Sequence, residues 1–402
     1  MSNLQLVRIG SRDELRQRAA AWDDLWLRGE AALPTLRAEL TAQWLEEFAP
    51  RGRFLAVAIE QDGQYLAALP LLGQRVKRVV PVAALPANAW STSGDLLLDP
   101  ACDCARVMDL LVAALGKLAW PLFWFDHVDF TSHRWKSLLA AMDRAGWTYA
   151  LEAQEQVGLV DLDRQWTAYE ASWSGNHRRH MRKAAAKLDR DGLTELRVYS
   201  QFKPGELDRL VKTCFEVEDR SWKGPAGTSV LKSPGMFDFF LRQARQLADW
   251  GQLELSVLEH KGEPISFEFG YLAKDIYFAP KVGYDDQYSS YSPGQVLLYR
   301  MLKGFMDSGH PKLVDFAGPL QAWTGKWITR AYPLGRLVVA PPKPLSRLLM
   351  HTYIRLRRDR AEGDMPTADG PLEDHTDSSG APSVREHAKA ESLAIPAVIA
   401  AD

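Results

Sequence analysis

Two stretches of this chain, almost 200 residues apart, carry the same succession of apolar runs and turns, and no other feature limits the fold as strongly. Phe54-Leu55-Ala56-Val57-Ala58-Ile59 reads as a strand, Asp62-Gly63 as a tight turn and Tyr65 to Leu72 as the returning strand. A helix follows at about 103–119, then an apolar strand from Leu122 to Val128. In the second half Leu253 to Glu259, the turn Lys261-Gly262 and Ile265 to Leu272 repeat the hairpin, ahead of a helix at about 293–307 and the strand Lys312-Leu313-Val314-Asp315-Phe316. The turns Glu60 to Gln64 and Glu259 to Glu263 lie 199 positions apart, and Phe123-Trp124-Phe125-Asp126 precedes the last strand by 189. Strands alternating with helices bury a sheet under helices. The expected fold is therefore α/β, in two tandem lobes, each a mixed twisted sheet with flanking helices.

A length of 402 residues suits two lobes rather than one core. The boundaries read as 1–155 for the first lobe and 156–341 for the second. A short basic amphipathic helix follows at 342–358, then an acidic tail at 359–402. Fourteen tryptophans supply aromatic mass for cores and lobe contacts. Ten acids against three bases give the tail a charge of −7, so a whole-chain charge of −2 leaves the rest at +5. A mildly positive body suits an anionic ligand; nucleic-acid-binding domains are more basic, so none is expected as a partner. The tail is polar, charged and rich in Gly, Pro and Ser, a composition expected to be disordered. On the helix at 342–358, Leu345, Leu348, Leu349, Tyr353 and Leu356 share one face. Such a face either docks on its own domain or makes peripheral contact with an anionic membrane. The N-terminus lacks the apolar run of a signal peptide, no apolar stretch spans a bilayer, and three scattered cysteines suit a reducing compartment. Together these features point to the cytoplasm.

Four segments could carry chemistry. The first runs from Tyr284-Asp285 through Tyr288 to Ser292-Pro293-Gly294-Gln295. Ser292 reads as an N-cap, Pro293 as the first helical residue and Gln295 as the partner of a capping box. A helix start of this kind binds pyrophosphate through its free N–H groups and positive dipole end, and Gly294 lets the phosphate approach. A well-capped helix without a ligand reads the same way. The second segment, Ser174 to Arg190, is a helix with six basic residues against Asp189. Arg178 and Arg179 fall in its first turn, where positive charge opposes the dipole, so an anionic partner or a solvated face accounts for them. His177 and His180 have a metal-compatible spacing, but neighbouring cations and the lack of a third ligand argue against a metal. The third, Glu216 to Gly224, sets Lys223 beside Trp222, a pairing able to grip a sugar or phosphate or to close a local ion-pair cluster. The fourth joins Asp315, at the end of a buried strand, to Lys326-Trp327. The chain has no G-x-G-x-x-G, Walker A, G-x-S-x-G or H-E-x-x-H sequence. That weighs against dehydrogenases, kinases, serine hydrolases and zinc proteases.

In combination, the basic Ser174-Gly175-Asn176-His177-Arg178-Arg179 helix, Glu218 to Gly224, the hairpin about Gly262, Tyr284-Asp285, Ser292-Pro293-Gly294, Asp315-Phe316 and Lys326-Trp327 resemble the GNAT-like acyltransferase superfamily. The likeness is to its CelD-type, cellulose-biosynthesis-like subgroup, distantly related to FemAB-type transferases. It covers 156–335 well and the first lobe as a degenerate copy. The resemblance implies an acyl-CoA donor, with no metal, and an amine or hydroxyl acceptor on a small molecule or saccharide of envelope or exopolysaccharide metabolism. Members of this superfamily usually carry a longer Gly-rich pyrophosphate loop than Ser292-Pro293-Gly294.

On this reading a carboxylate takes the acceptor proton, with Glu268, Asp285 and Asp315 as candidates, and Tyr284 or Tyr288 returns a proton to the thiolate. Glu268 alternates with Phe267 and Phe269 and so points away from their face. Ser292, Pro293, Gly294 and Gln295 would hold the cofactor, and Arg178, Arg182, Trp222, Lys223, Tyr288 and Lys326 the substrates. Two rival expectations stand beside it: aminoacyl-tRNA-dependent transfer, with tRNA as partner, and a non-catalytic protein that holds a glycan or protein partner.

Overall fold

The structure is a computed structural model that describes residues 3–363. The first half comprises β1 (Gln5–Ile9), α1 (Arg12–Gln17), α2 (Ala19–Arg28), α3 (Ala38–Phe48), β2 (Phe54–Gln61), β3 (Gln64–Val76), β4 (Val80–Ala84), β5 (Leu97–Leu98), α4 (Cys104–Gly116), β6 (Leu122–Val128), α5 (His133–Arg144) and β7 (Thr148–Asp161). The second comprises α6 (Trp166–Ser172), α7 (Gly175–Asp191), β8 (Thr194–Tyr199), α8 (Glu206–Asp219), α9 (Met236–Asp249), β9 (Leu253–His260), β10 (Glu263–Ala273), β11 (Ile276–Tyr284), α10 (Pro293–Ser308), β12 (Leu313–Pro319), β13 (Arg330–Ala340) and α11 (Pro344–Gly363).

The repetition seen in the sequence is a repetition of topology. Both hairpin turns place two consecutive residues at positive φ, Asp62 (52°) with Gly63 (83°) and Lys261 (53°) with Gly262 (84°). That matches the twist of the flanking strands and explains the glycine in each. In each half two hairpin-linked antiparallel strands lead to a third. A helix, α4 or α10, then crosses to a parallel partner, pairing Val82 with Leu122 and Ile276 with Leu313.

The two sheets are nevertheless continuous. The strand order is β1-β2-β3-β4-β6-β13-β7-β12-β11-β10-β9-β8, with β5 attached to β3. The halves exchange their last strands: β7, which ends the first half, pairs with β12 of the second, and β13, which ends the second, pairs with β6 of the first. Both lie against each other over eleven register pairs from Arg330–Leu159 to Ala340–Thr148. The expected lobe boundary at 155/156 falls inside β7. One apolar core also crosses the junction, with Phe48 against Phe239 at 5.0 Å and Trp90 against Phe240 at 6.3 Å. Lys274 extends from the second half to the carbonyls of Gly29 and Ala31 after α2, at 2.7 and 2.8 Å.

The helix expected at 342–358 forms, but continues to Gly363, and residues 364–402 of the acidic tail lie outside the described residues. Among the described residues no helix is long and apolar enough to cross a membrane.

Candidate active site

The strands β11 and β12 pair only from Ile276–Leu313 to Phe278–Asp315. Beyond that point β11 continues for six residues to Tyr284, whereas β12 turns aside at Ala317, whose φ is 50°. Two register shifts sharpen the divergence. Opposite Gly270 of β10, β11 carries both Ala279 and Pro280, and Pro319 of β12 rejoins β7 only at Val157. Parting parallel strands leave main-chain groups without ladder partners, a wedge open to an extended ligand.

The start of α10 stands over the wide end of this wedge. A Cβ built on Gly294 would make only ordinary contacts, with Tyr284 and the Ser266 hydroxyl at 3.8 and 3.9 Å, so Tyr284 and Ser266 stand beside the helix start. The local geometry differs from the expected capping box. Ser292 is left-handed (φ 53°, ψ 52°) and its side chain makes no cap, because the chain reverses there from the short 3-10 turn Asp286–Tyr291 into the helix. Gln295 turns away to accept the Trp327 indole N–H at 3.0 Å. The capping role that an N-cap side chain would fill is left to something else. The equivalent helix of the first half, α4, is closed in this sense: Asp103 caps it by accepting from Arg106 N–H at 3.3 Å, which puts a carboxylate where an anion would bind.

At the apex of the wedge sits Asp315. It is 7% exposed, accepts the Ala317 N–H at 2.7 Å and the Tyr332 hydroxyl at 2.9 Å, and burial raises its pKa to about 6. The Tyr332 hydroxyl is held well above its ordinary value, first by burial and then by Asp315. Asp129 and Arg134 of the first half act electrostatically on this pair, so its surroundings include both halves. No local pattern marks Tyr332, which reaches Asp315 only through the strand exchange that carries β13 past β7.

The other candidates are distributed unevenly. Asp285 is spoken for: one oxygen accepts the Gln287 N–H at 3.0 Å, and the other pairs with Arg220 at 2.6 Å. Tyr284 lines the start of α10, while Tyr288 packs near His260 and Tyr291. Glu268, expected to be accessible, is 5% exposed, because the face opposite Phe267 and Phe269 is covered as well. Its Oε1 has no hydrogen-bond partner among the described residues, and burial pushes its carboxyl well above the usual carboxylate range. It shares that face with Glu254, whose pKa burial raises to about 7, and with Ser256 and Tyr277.

Lys223 pairs with the buried Glu218 at 3.2 Å, whose other oxygen accepts the Val230 N–H at 2.9 Å, so the segment forms an internal ion-pair cluster. Trp222 lies in the same turn. Arg178 donates to the Ala171 carbonyl at 3.1 Å and Arg182 binds Glu170 through both Nε and Nη2, at 3.0 and 2.5 Å. The anionic partner inferred for this helix start is thus partly internal, the carboxyl end of α6.

His177 is buried against Trp173 and Trp327, each at 4.8 Å, and burial lowers its pKa to about 4. Further along α7, Lys187 donates to the Ser290 carbonyl at 3.1 Å and lies 4.4 Å from the Tyr291 ring. Lys183, one turn earlier, is exposed on the same face of α7 as Lys187. Lys326 is exposed beside Trp327, whose indole binds the first turn of α10.

Residues 175–323 match the family model described as Acetyltransferase (GNAT) domain. No curated protein matches the chain. Among solved structures, one of FemX is 12% identical, with a TM-score of 0.55 over 86% of this chain and 99% of that one. The C-terminal DUF2156 domain of a putative lysylphosphatidylglycerol synthetase from Agrobacterium fabrum is 16% identical, with a TM-score of 0.51 over 86% and 97%. A conserved protein of unknown function from Bacteroides thetaiotaomicron VPI-5482 is 10% identical, with a TM-score of 0.53 over 85% and 100%. At these identities the likeness is one of fold.

Proposed function

We propose that this chain, an acyltransferase by the GNAT acetyltransferase domain at residues 175–323, moves an acyl group from acyl-CoA to an amine or hydroxyl of a small-molecule or saccharide acceptor, using the wedge of the second half. The observation that carries this reading is the wedge itself: parallel strands that part after three pairs, a helix start with no side-chain cap at one end and a buried carboxylate at the other. The pyrophosphate of the donor meets the Gly294 end of α10, with Lys183 and Lys326 nearby as cations. The pantetheine arm lies between β11 and β12, where main-chain groups lack strand partners.

The Asp315–Tyr332 pair supplies the proton chemistry. Ionised Asp315 takes the proton of the attacking amine or hydroxyl as its lone pair forms the bond to the thioester carbon. When the C–S bond breaks, the electron pair leaves on sulfur. The thiolate takes the Tyr332 proton, and Asp315 returns its own proton to Tyr332 along their hydrogen bond. The resemblance to cellulose-biosynthesis-like transferases favours a saccharide of envelope or exopolysaccharide metabolism. A tRNA donor would need cations such as those of the basic helix, and three of them, Arg178, Arg182 and Lys187, have internal partners.

The test is calorimetry of the purified chain with acetyl-CoA and longer acyl-CoAs, beside Gly294→Trp. Micromolar binding lost in the variant, with its melting temperature unchanged, supports the site. Absence of binding to every acyl-CoA sinks it, and transfer from charged tRNA instead selects the rival donor.

A further inference from the structure

An ordinary surface helix has two sides, one docked and one polar; α11 has three. Ser346, Met350, Tyr353 and Arg357, spaced four, three and four residues apart, form the docked side. Met350 is buried with Val338 and Ala340 of β13, the Tyr353 ring lies 5.3 Å from Trp124 of β6, and Arg357 pairs with Glu152 of β7 at 2.6 Å. Of the apolar face expected from the sequence, Leu349 and Tyr353 join this contact, but Leu345, Leu348 and Leu356 do not. They stay 59, 64 and 52% exposed. With Thr352 they make a second stripe at spacings of three, four and four. The third side carries Arg347, His351 and Arg355, all exposed, and no acid occurs from Pro344 to Arg358.

A second element extends this surface. The tip of the β3–β4 hairpin exposes Lys77, Arg78 and Val79, the last at 72%, while Val76 and Val80 on either side pack into the cluster that holds Leu349 and Met350. The hairpin tip and the helix are therefore neighbours. Both combine exposed aliphatic side chains with cations that have no ion pair among the described residues. Burial of the docked side already accounts for the stability of the helix, so the leucine stripe is left without a folding role.

We propose that α11 and the 77–79 hairpin tip form a surface that rests on an anionic lipid bilayer, with the Leu345–Leu348–Leu356 stripe at the acyl boundary and the cations among the headgroups. Charge complementarity selects this occupant. A protein groove would accept the leucine stripe but gives no account of cations on two separate elements, whereas an anionic leaflet rewards each by about fivefold in affinity. The inference is independent of the acyl-transfer site.

The experiment is co-sedimentation of the full chain with large vesicles of phosphatidylglycerol and phosphatidylcholine mixed, and of phosphatidylcholine alone. It includes wild type, Leu345→Asp/Leu348→Asp/Leu356→Asp and Lys77→Glu/Arg78→Glu. All five positions are exposed, and unchanged circular dichroism and melting temperature confirm intact folds. The expected result is binding at least tenfold tighter to the anionic vesicles, weakened by salt, reduced at least tenfold by the leucine triple variant and at least fivefold by the hairpin pair. Equal binding to both vesicles, or a triple variant that binds like wild type, overturns the proposal. So does a dimer in solution that the triple variant abolishes while wild type ignores vesicles, since the stripe then serves a second copy of the chain.

Discussion

Replacing Asp315 by asparagine removes the charge while preserving the shape, since an amide can still accept from the Ala317 N–H and meet the Tyr332 hydroxyl. An aspartate held at about 6 in the folded chain and near ~3.9 when unfolded binds its proton more tightly when folded. Its contribution to stability is therefore complete below about pH 4 and declines as the pH rises through 6. The gap corresponds to roughly 3 kcal/mol of folding free energy withheld above pH 7. Asp315→Asn recovers most of that. Denaturant unfolding gives the variant an advantage of about 2–3 kcal/mol at pH 8 and almost none at pH 4.

Activity moves the other way. Asp315 must be ionised to accept a proton, so wild-type kcat/KM rises with pH to a plateau above about 6, and the variant loses about 10²–10⁴ in kcat with acyl-CoA affinity unchanged. A variant more stable and less active is the signature of a carboxylate kept in an unfavourable place for its chemistry. Two results would refute the reasoning: kcat within tenfold of wild type, or a variant less stable than wild type at pH 8.

Further outcomes follow from groups away from the wedge apex. Glu254→Gln stabilises the chain by roughly 3 kcal/mol at pH 8 and has little effect at pH 4, because a carboxyl raised to about 7 costs stability only once ionised; paired unfolding curves read the difference. Lys223→Met strands the buried Glu218 and lowers unfolding free energy by about 3 kcal/mol, with acyl-CoA affinity within threefold of wild type by calorimetry. Arg178→Ala and Arg182→Ala lower the melting temperature by uncapping α6 but leave acyl-CoA affinity unchanged, whereas Lys183→Ala and Lys326→Ala weaken that affinity at unchanged melting temperature.

What the sequence made legible was whatever local pattern encodes. Hairpin turns with glycine, crossover helices and apolar strands announced both halves, and the offset repeats announced their shared plan. The exchange of β7 and β13 was hidden, because pairing partners of a strand leave no mark on its own alternation, and with it went Tyr332. Other misreadings have one physical origin, namely that a residue's partner was supplied from a distance. Ser292-Pro293-Gly294-Gln295 has the composition of a capping box, but the left-handed turn at Ser292 and the bond from Trp327 to Gln295 dissolve it. Arg178 and Arg182 looked for an anion and met the end of α6. Glu268 alternated correctly away from its phenylalanine neighbours and still came to lie in the core, because α10 covers the other face.

The contrast between α4 and α10 gives the exchange a functional meaning. The two helices hold the same place in the repeat, each crossing between parallel strands, yet one presents the capping carboxylate of Asp103 at its start and the other no side-chain cap. An anionic donor would meet a carboxylate at the first and free main-chain N–H groups at the second, in keeping with the proposed use of the second half. On that proposal the exchanged strand makes the first half part of the site. Tyr332 lies on β13, which is anchored along its later half to β6 from Gly335–Val128 to Val339–Phe123. The distance from Tyr332 to Asp315 therefore depends on packing in both halves. If the second half alone binds the donor, as proposed, the first is still needed, because the strand that carries Tyr332 is held there.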